Sequence, residues 1–345
     1  MIRVSPAFRA LAVATALSLA SAAARALDVG DAAPAFELPK WLVGDAVNPG
    51  KPDGQSVYLV EFWKIPSPAC EQSTRKLNKL HKEYGPQGLK VVAVNAEDEQ
   101  TTLDRLKLNP IEYASGLDPR GVAFKPYMDD DGREEAPYAF LVGKDGNILW
   151  MGVSLEDELE RVIRGALDGG YTLEKARNIA SVRKALEEAA QLRDPEAMVA
   201  ALKKLMDVDP QNVNWPVNLY QIAGQIGRPD EQKAALEHWK AGFDDDANAQ
   251  ARLAMALVMA PNLPDRDPVF AAAAARKALA LDAAGKEFAT LIAGQALMEI
   301  GLLDDAAKAL ANWKPEDADI DRQMKPLVAD LLAYMEKLKQ AREVR

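Results

Sequence analysis

The chain has 345 residues, 48% hydrophobic, 27% charged and 6% aromatic, with one cysteine, two histidines and a formal net charge of −10. The length suits two domains of the usual ~100–200 residues, and the acidic balance excludes nucleic acid as the main partner, because no basic surplus is available for phosphate contacts. A single cysteine rules out an intramolecular disulfide, a cysteine-based zinc site and an internal CxxC couple, and with only His81 and His238 neither a histidine-rich metal site nor a bound cofactor is expected.

At the N-terminus, Arg3 and Arg9 precede an apolar run from Ala10 to Ala20, followed by small residues ending in Ala24-Arg25-Ala26. This is the three-part pattern of a secretory signal peptide over residues 1–26, cleaved after Ala26. The apolar run is shorter than the ~20 residues that span a bilayer, which weighs against a membrane anchor. No cysteine follows it, which excludes a lipoprotein anchor. Removing the segment takes the net charge from −10 to −13, since three arginines and no acid go with it. The expectation is a periplasmic or otherwise exported protein with no integral membrane segment after signal removal. In an oxidising compartment an unpaired thiol is unusual, which makes Cys70 the residue to follow.

Residues 27–168 alternate β-type runs with helical patterns. Val57–Trp63 (VYLVEFW) is apolar with one interruption and suits a central strand. In the segment Phe62-Trp63-Lys64-Ile65-Pro66-Ser67-Pro68-Ala69-Cys70, Ser67 is a good N-cap and Pro68 fits the first helical position. Cys70 then falls in the first turn of a helix, where free N–H groups and the helix dipole favour a thiolate, with Glu71 opposing that shift. Leu77, Leu80 and Tyr84 mark one face of this helix. Leu89–Asn95 reads as the next buried strand and Gln100–Leu108 as a helix. Ala139–Val142 and Ile148–Val153 flank Gly143-Lys144-Asp145-Gly146-Asn147, a hairpin turn, and Leu155–Leu167 closes the unit as an amphipathic helix. The result is an α/β sheet covered by helices. The Asp129-Asp130-Asp131-Gly132 loop and the Asp244–Asp246 run lack the alternating spacing of a calcium loop and read as solvated turns.

Beyond Gly169-Gly170 the β-type runs vanish and alanine-rich helices take over, predicting an all-α unit over residues 171–345. Gly294, Gly301, Ala306 and Leu310 recur at spacings that resemble the tetratricopeptide pattern, a 34-residue helix-turn-helix repeat. A weaker match runs through Gly227, Leu236 and Trp239, with Trp313 equivalent to Trp239. Asp194-Pro195-Glu196-Ala197 opens the second helix of an earlier repeat, and Ala251–Ala260 and Val269–Leu281 make a further pair with a lengthened loop, Pro261–Pro268, between them. An irregular helical bundle is the alternative. Stacked repeats form a binding surface for an extended peptide or a partner protein. Methionines 198, 206, 255, 259, 298 and 324 are read mainly as filling between helices.

The arrangement strand–Phe62-Trp63–three residues–Ser67-x-x-Cys70–helix, followed by Ala136-Pro137-Tyr138 at the hairpin's opening, resembles the thioredoxin superfamily. The start Val29-Gly30-Asp31-Ala32-Ala33-Pro34-Ala35-Phe36-Glu37-Leu38 is similar to the V-G-x-x-A-P-x-F-x-L opening of its redoxin branch, the alkyl hydroperoxide reductase/thiol-specific antioxidant proteins. The resemblance covers residues 27–168. It implies a thioredoxin-like α/β fold, a cis bond before Pro137, and a site made of Cys70, Ser67 and Pro137. Ser67 stands where the family's attacking cysteine stands, so dithiol exchange with an internal partner is impossible. The peroxiredoxin element T/S-x-x-C is also similar, but its opening proline is Trp63 here and its thiolate-stabilising arginine would fall at Pro137. The whole architecture, a thioredoxin-like domain with S-x-x-C and a tetratricopeptide-like tail, resembles the chaperedoxins, which bind unfolding proteins and shield their cysteines through mixed disulfides in the cytoplasm.

Three readings follow. Cys70 engages client or partner proteins that carry free thiols by mixed disulfide while the helical repeats hold them. Alternatively, it is a one-cysteine peroxidase or oxidoreductase of antioxidant type, resolved by an external thiol reductant. In the third, Cys70 is an inert buried cysteine in an interaction scaffold.

Overall fold

The computed structural model describes residues 27–343 apart from 129–135, 157, 260–266, 287 and 316–317. The segment read as a signal peptide, the Asp129–Gly132 run read as a solvated turn and residues 261–266 of the segment read as a lengthened loop therefore lie outside the described residues. The chain divides into two compact units between Gly170 and Tyr171.

In the first unit, six strands form one mixed sheet: β1 (Lys40–Val43), β2 (Val57–Trp63), β3 (Leu89–Asn95), β4 (Ala114–Leu117), β5 (Tyr138–Val142) and β6 (Ile148–Val153), in the order β1-β4-β3-β2-β5-β6. The apolar run of β2 places it at the centre, where every one of its residues is buried. It pairs in parallel with β3 and antiparallel with β5, with Phe62 opposite both Val94 and Tyr138. Helix α1 (Pro68–Tyr84) makes the β2–β3 crossover and α2 (Glu99–Leu108) the β3–β4 crossover. The long crossovers are the connections that parallel strands require. Phe62, Tyr127 and Phe140 meet in the core at ring separations of 5.0–6.1 Å, with tilted or edge-on geometry.

The long apolar strands stand where the sequence puts them, but the sheet is wider than the β-α-β-plus-hairpin reading. Strand β4 is Ala-Ser-Gly-Leu, too short and too poor in β-branched residues to register, and it carries β1 antiparallel at the edge. The short helix α3 (Phe124–Met128) follows from Asp118, whose buried carboxylate accepts the N–H groups of Val122, Ala123 and Phe124 at 2.7–2.8 Å. Helix α4 (Glu158–Asp168) begins later than Leu155 because a turn intervenes, with Glu156 N–H donating to Val153 O at 2.9 Å.

The second unit contains helices α5 (Leu173–Gln191), α6 (Pro195–Val208), α7 (Asn214–Gln225), α8 (Pro229–Phe243), α9 (Ala247–Met259), α10 (Pro268–Leu281), α11 (Phe288–Glu299), α12 (Leu303–Asn312) and α13 (Ala318–Glu343). They pack as successive pairs, α5 with α6, α7 with α8, α9 with α10 and α11 with α12, and α9 also packs on α11. One turn recurs. Before α6, α8 and α12 the chain passes through a left-handed residue, Arg193 (φ 54°), Gly227 (φ 68°) and Gly301 (φ 81°). Each time the same two bonds close it: Arg193 N–H to Ala190 O and Asp194 N–H to Ala189 O, repeated as 227 to 224 with 228 to 223, and as 301 to 298 with 302 to 297, at 2.8–3.2 Å. This is the Schellman end of a helix. Arg193 and Gly227 are 34 residues apart.

Gly294 stands where a Cβ would lie 3.0 Å from Leu310, so α11 and α12 touch there almost backbone to side chain. The equivalence of Trp239 with Trp313 holds in burial, at 1% and 7% exposed, but not in conformation. Trp239 sits inside α8, whereas Trp313 is the C-cap of α12, in extended conformation at φ −70° and ψ 122°.

Two substitutions in the same turn should move stability in opposite directions. A Cβ at Gly227 meets nothing within 4 Å, so Gly227→Ala adds backbone strain alone and should cost ~1 kcal/mol, while Arg193→Gly relieves the same strain and should stabilise by ~0.5–1 kcal/mol, read from chemical denaturation.

Candidate functional site

Three elements converge at the C-terminal end of β2. The chain leaves Trp63, crosses Lys64–Pro66 and enters α1 at Ser67, whose extended backbone (φ −152°, ψ 110°) and side chain form the N-cap. Cys70 N–H donates to Ser67 Oγ at 3.2 Å, and Pro68 takes the first helical position, where its missing N–H costs nothing. From the other side, β5 runs antiparallel to β2 with Tyr138 opposite Phe62, which brings Pro137 level with Trp63 and the loop that follows it. The Ala136–Pro137 bond is cis, and so is Ile65–Pro66, which the sequence did not suggest. Cys70, Ser67 and Pro137 thus stand at one end of the sheet.

Cys70 is 2% exposed and unpaired. Burial pushes its thiol above the ordinary value, and the negative charge of Glu61 adds to that shift. The Lys64 backbone N–H, the Ser67 side chain and the Lys64 charge act the other way but do not overcome burial. The expectation that the helix start favours a thiolate is therefore outweighed, because the thiol has been taken out of water. Glu71 is not the opposing group. It pairs with Arg105 of α2 at 2.8 Å.

Glu61 is the residue that inspection of the motif misses. It is the one interruption in the apolar run of β2, it is 1% exposed, and burial pushes its carboxyl up to about 7. Ser73 of α1 donates a hydrogen bond to Glu61 Oε1 and favours the ionised form, with weaker help from Ser154. Glu61 Oε2 and Ser154 Oγ have no hydrogen bond of ordinary geometry. Across the sheet, Glu61 stands in a row with Ala93 and Ser115 on one side and Ala139 and Gly152 on the other. These small side chains leave room for the polar face of α1. Tyr113 is buried beside the same group, its hydroxyl near Thr74 and its ionisation suppressed first by burial and then by Glu61. The Glu61 charge reaches the Cys70 thiol electrostatically, while the hydrogen bond its carboxyl accepts comes from Ser73. The signal for Glu61 was legible: a charged residue inside a central strand must be paired or neutral.

Among the described residues no group of three or more His, Cys, Asp and Glu side chains is placed to hold a metal ion, and no helix is long and apolar enough to cross a membrane.

The first unit has a thioredoxin-like fold, and residues 29–151 match the AhpC/TSA family. Protein FixW of Rhizobium leguminosarum is 25% identical over 222 residues, covering 57% of this chain and 98% of FixW. Thiol-disulfide oxidoreductase ResA of Halalkalibacterium halodurans is 30% identical over 113 residues, covering 31% of this chain and 59% of ResA. Among solved structures, the thiol:disulfide interchange protein of the thioredoxin family from Chlorobium tepidum is 20% identical, covering 41% of this chain and 99% of its own, with a TM-score of 0.34.

The burial of Glu61 fixes a pH dependence. Its folded value of about 7 lies above the ordinary 4.5, so between those limits the folded state holds more proton than the unfolded one, and stability falls as pH rises through the window. The loss is about 3 kcal/mol, complete above pH ~8. Glu61→Gln should flatten the stability curve between pH 4.5 and 7 and be the more stable protein at pH 8, measured by urea unfolding at each pH.

Proposed function

We propose that this is an exported, thioredoxin-fold thiol-disulfide protein that engages partner proteins through Cys70 and recruits them with its helical unit. The observation that carries the reading is the placement of Cys70 at the capped start of α1, at the end of the sheet where Pro137 stands level with Trp63 and within the electrostatic reach of the buried Glu61. Glu61 accepts the Cys70 proton, and the thiolate attacks one sulfur of a partner's disulfide. The partner's S–S bond breaks, a Cys70–partner S–S bond forms, and the departing sulfur leaves as a thiolate that takes a proton from solvent. Ser67 cannot attack this mixed disulfide, so release of Cys70 as a thiolate comes either from the partner's own freed sulfur, which reverses the step, or from an external thiol that leaves with the partner as a new disulfide. A covered, protonated thiol suits slow capture rather than the rapid turnover of a peroxidase.

The helical unit supports recruitment. Its recurring turn, its paired helices and the 34-residue interval from Arg193 to Gly227 are what a tetratricopeptide-like array requires, and such arrays bind extended segments. Export rests on the Arg3–Ala26 pattern.

The test uses the full chain and an oxidised, partly unfolded model protein carrying a disulfide, with adducts read by intact mass. Wild type should form a covalent adduct at a rate that rises with pH to beyond the ordinary thiol value of 9.0, and Cys70→Ala should form none. If Cys70 forms no adduct at any pH and is alkylated only on unfolding, the inert-cysteine reading replaces this one, which its 2% exposure favours.

A second expectation concerns the missing partner sulfur. Ser67→Cys should create a dithiol site with insulin-type disulfide reductase activity at least ~10-fold above wild type, followed by insulin turbidity. An inactive but folded variant would show a pocket remodelled beyond redox use.

A further inference from the structure

Helix α13 carries two apolar stripes, and only one of them is covered within the described residues. Val328 and Leu332 are half-buried, Met335 is 0% exposed, and Lys339 Nζ reaches Asp304 Oδ1 of α12 at 2.8 Å, so this side rests on α12. The second stripe is Met324, Leu327, Leu331, Tyr334 and Leu338, at successive intervals of three, four, three and four residues. It lies roughly 100° around the helix from the first, by the 3.6-residue turn. Leu327 is 46% and Tyr334 53% exposed, while Met324, Leu331 and Leu338 are half-buried. The alternation of three and four along this second stripe is the spacing of a coiled-coil seam, with the residues turned to α12 beside it at the e positions.

We propose that this stripe pairs with the same stripe of a second copy of the chain, as an antiparallel two-stranded coiled coil about a two-fold axis. The charges beside the seam select that occupant and that direction. With Met324, Leu331 and Leu338 at the a positions and Leu327 and Tyr334 at d, the described flanking residues on the side away from α12 are Asp330 and Lys337, both exposed and both at g. In an antiparallel pair g faces g, so Asp330 of each copy meets Lys337 of the other, twice. In a parallel pair g faces e, and the e residues Val328 and Met335 are apolar and turned to α12. The antiparallel seam also aligns four of the five stripe residues: Leu331 against Tyr334 of the second copy, and Leu327 against its Leu338, with Met324 beyond the paired layers. A two-fold pairing of this kind is self-complementary and closes at two copies. From Leu327 to Leu338 the seam runs only ~17 Å, at 1.5 Å per residue. The dimer is therefore weak and concentration-dependent.

Sedimentation velocity of the full chain, from about 1 to about 200 μM, measures it; the concentrations bracket the micromolar range of a small interface. Wild type should pass from monomer to dimer within that range. Leu327→Glu with Tyr334→Glu, at side chains already half in water, should raise the dissociation constant at least ~10-fold without loss of helical circular dichroism. Asp330→Lys should weaken the dimer several-fold, and adding Lys337→Asp should restore it, a reciprocal rescue that a merely structural effect on α13 does not give. A wild-type chain that stays monomeric to the top of the range overturns the proposal. So does a dimer that survives the two glutamates, or an Asp330→Lys loss that the second charge reversal leaves unrepaired. Asp330 and Lys337 are exposed and make no ion pair or hydrogen bond among the described residues, so the charge pair keeps the test decisive even where the glutamate variant unfolds.

Discussion

Placing a carboxyl group at the middle of the central strand puts a demand on everything around it. Glu61 cannot be left alone in an apolar layer, so α1 turns a polar face, Ser73 and Thr74, toward the sheet, and the strands on either side offer alanine, serine and glycine at its level. The same cover that buries Glu61 buries Cys70. Burial first, and the Glu61 charge after it, hold the Cys70 thiol above its ordinary value.

Ser67 keeps only half of what a cysteine there would do. It caps α1, holding the Cys70 N–H and setting the helix's entry, and so it preserves the geometry of the site. It supplies no second sulfur, so a bond made at Cys70 has no internal route of release. The helical unit is built differently, on one local turn that occurs three times among the described residues.

Much of this was legible from sequence, for reasons that differ residue by residue. Strands β2, β3, β5 and β6 declare themselves because buried strands need unbroken apolar runs. β4 does not, since Ala-Ser-Gly-Leu owes its place to its neighbours' hydrogen bonds. The Ser67–Cys70 segment could be placed at a helix start from capping rules alone. The acidity of Cys70 could not, because dipole and desolvation push in opposite directions and only the packed structure says which is larger. Glycines revealed the turns at 227 and 301, while the identical turn at 193 was hidden by an arginine in a conformation that side chains rarely adopt.

The sameness of those three turns has an evolutionary corollary. Because each closes on its own backbone bonds, two helices and their turn form a self-contained cassette whose local chemistry does not depend on how many cassettes precede it. The unit can lengthen or shorten by whole helix pairs, through duplication or loss of short gene segments, without redesigning any junction. A lineage that gained or lost one such pair would change the length of the helical unit while leaving the sheet of the first unit untouched.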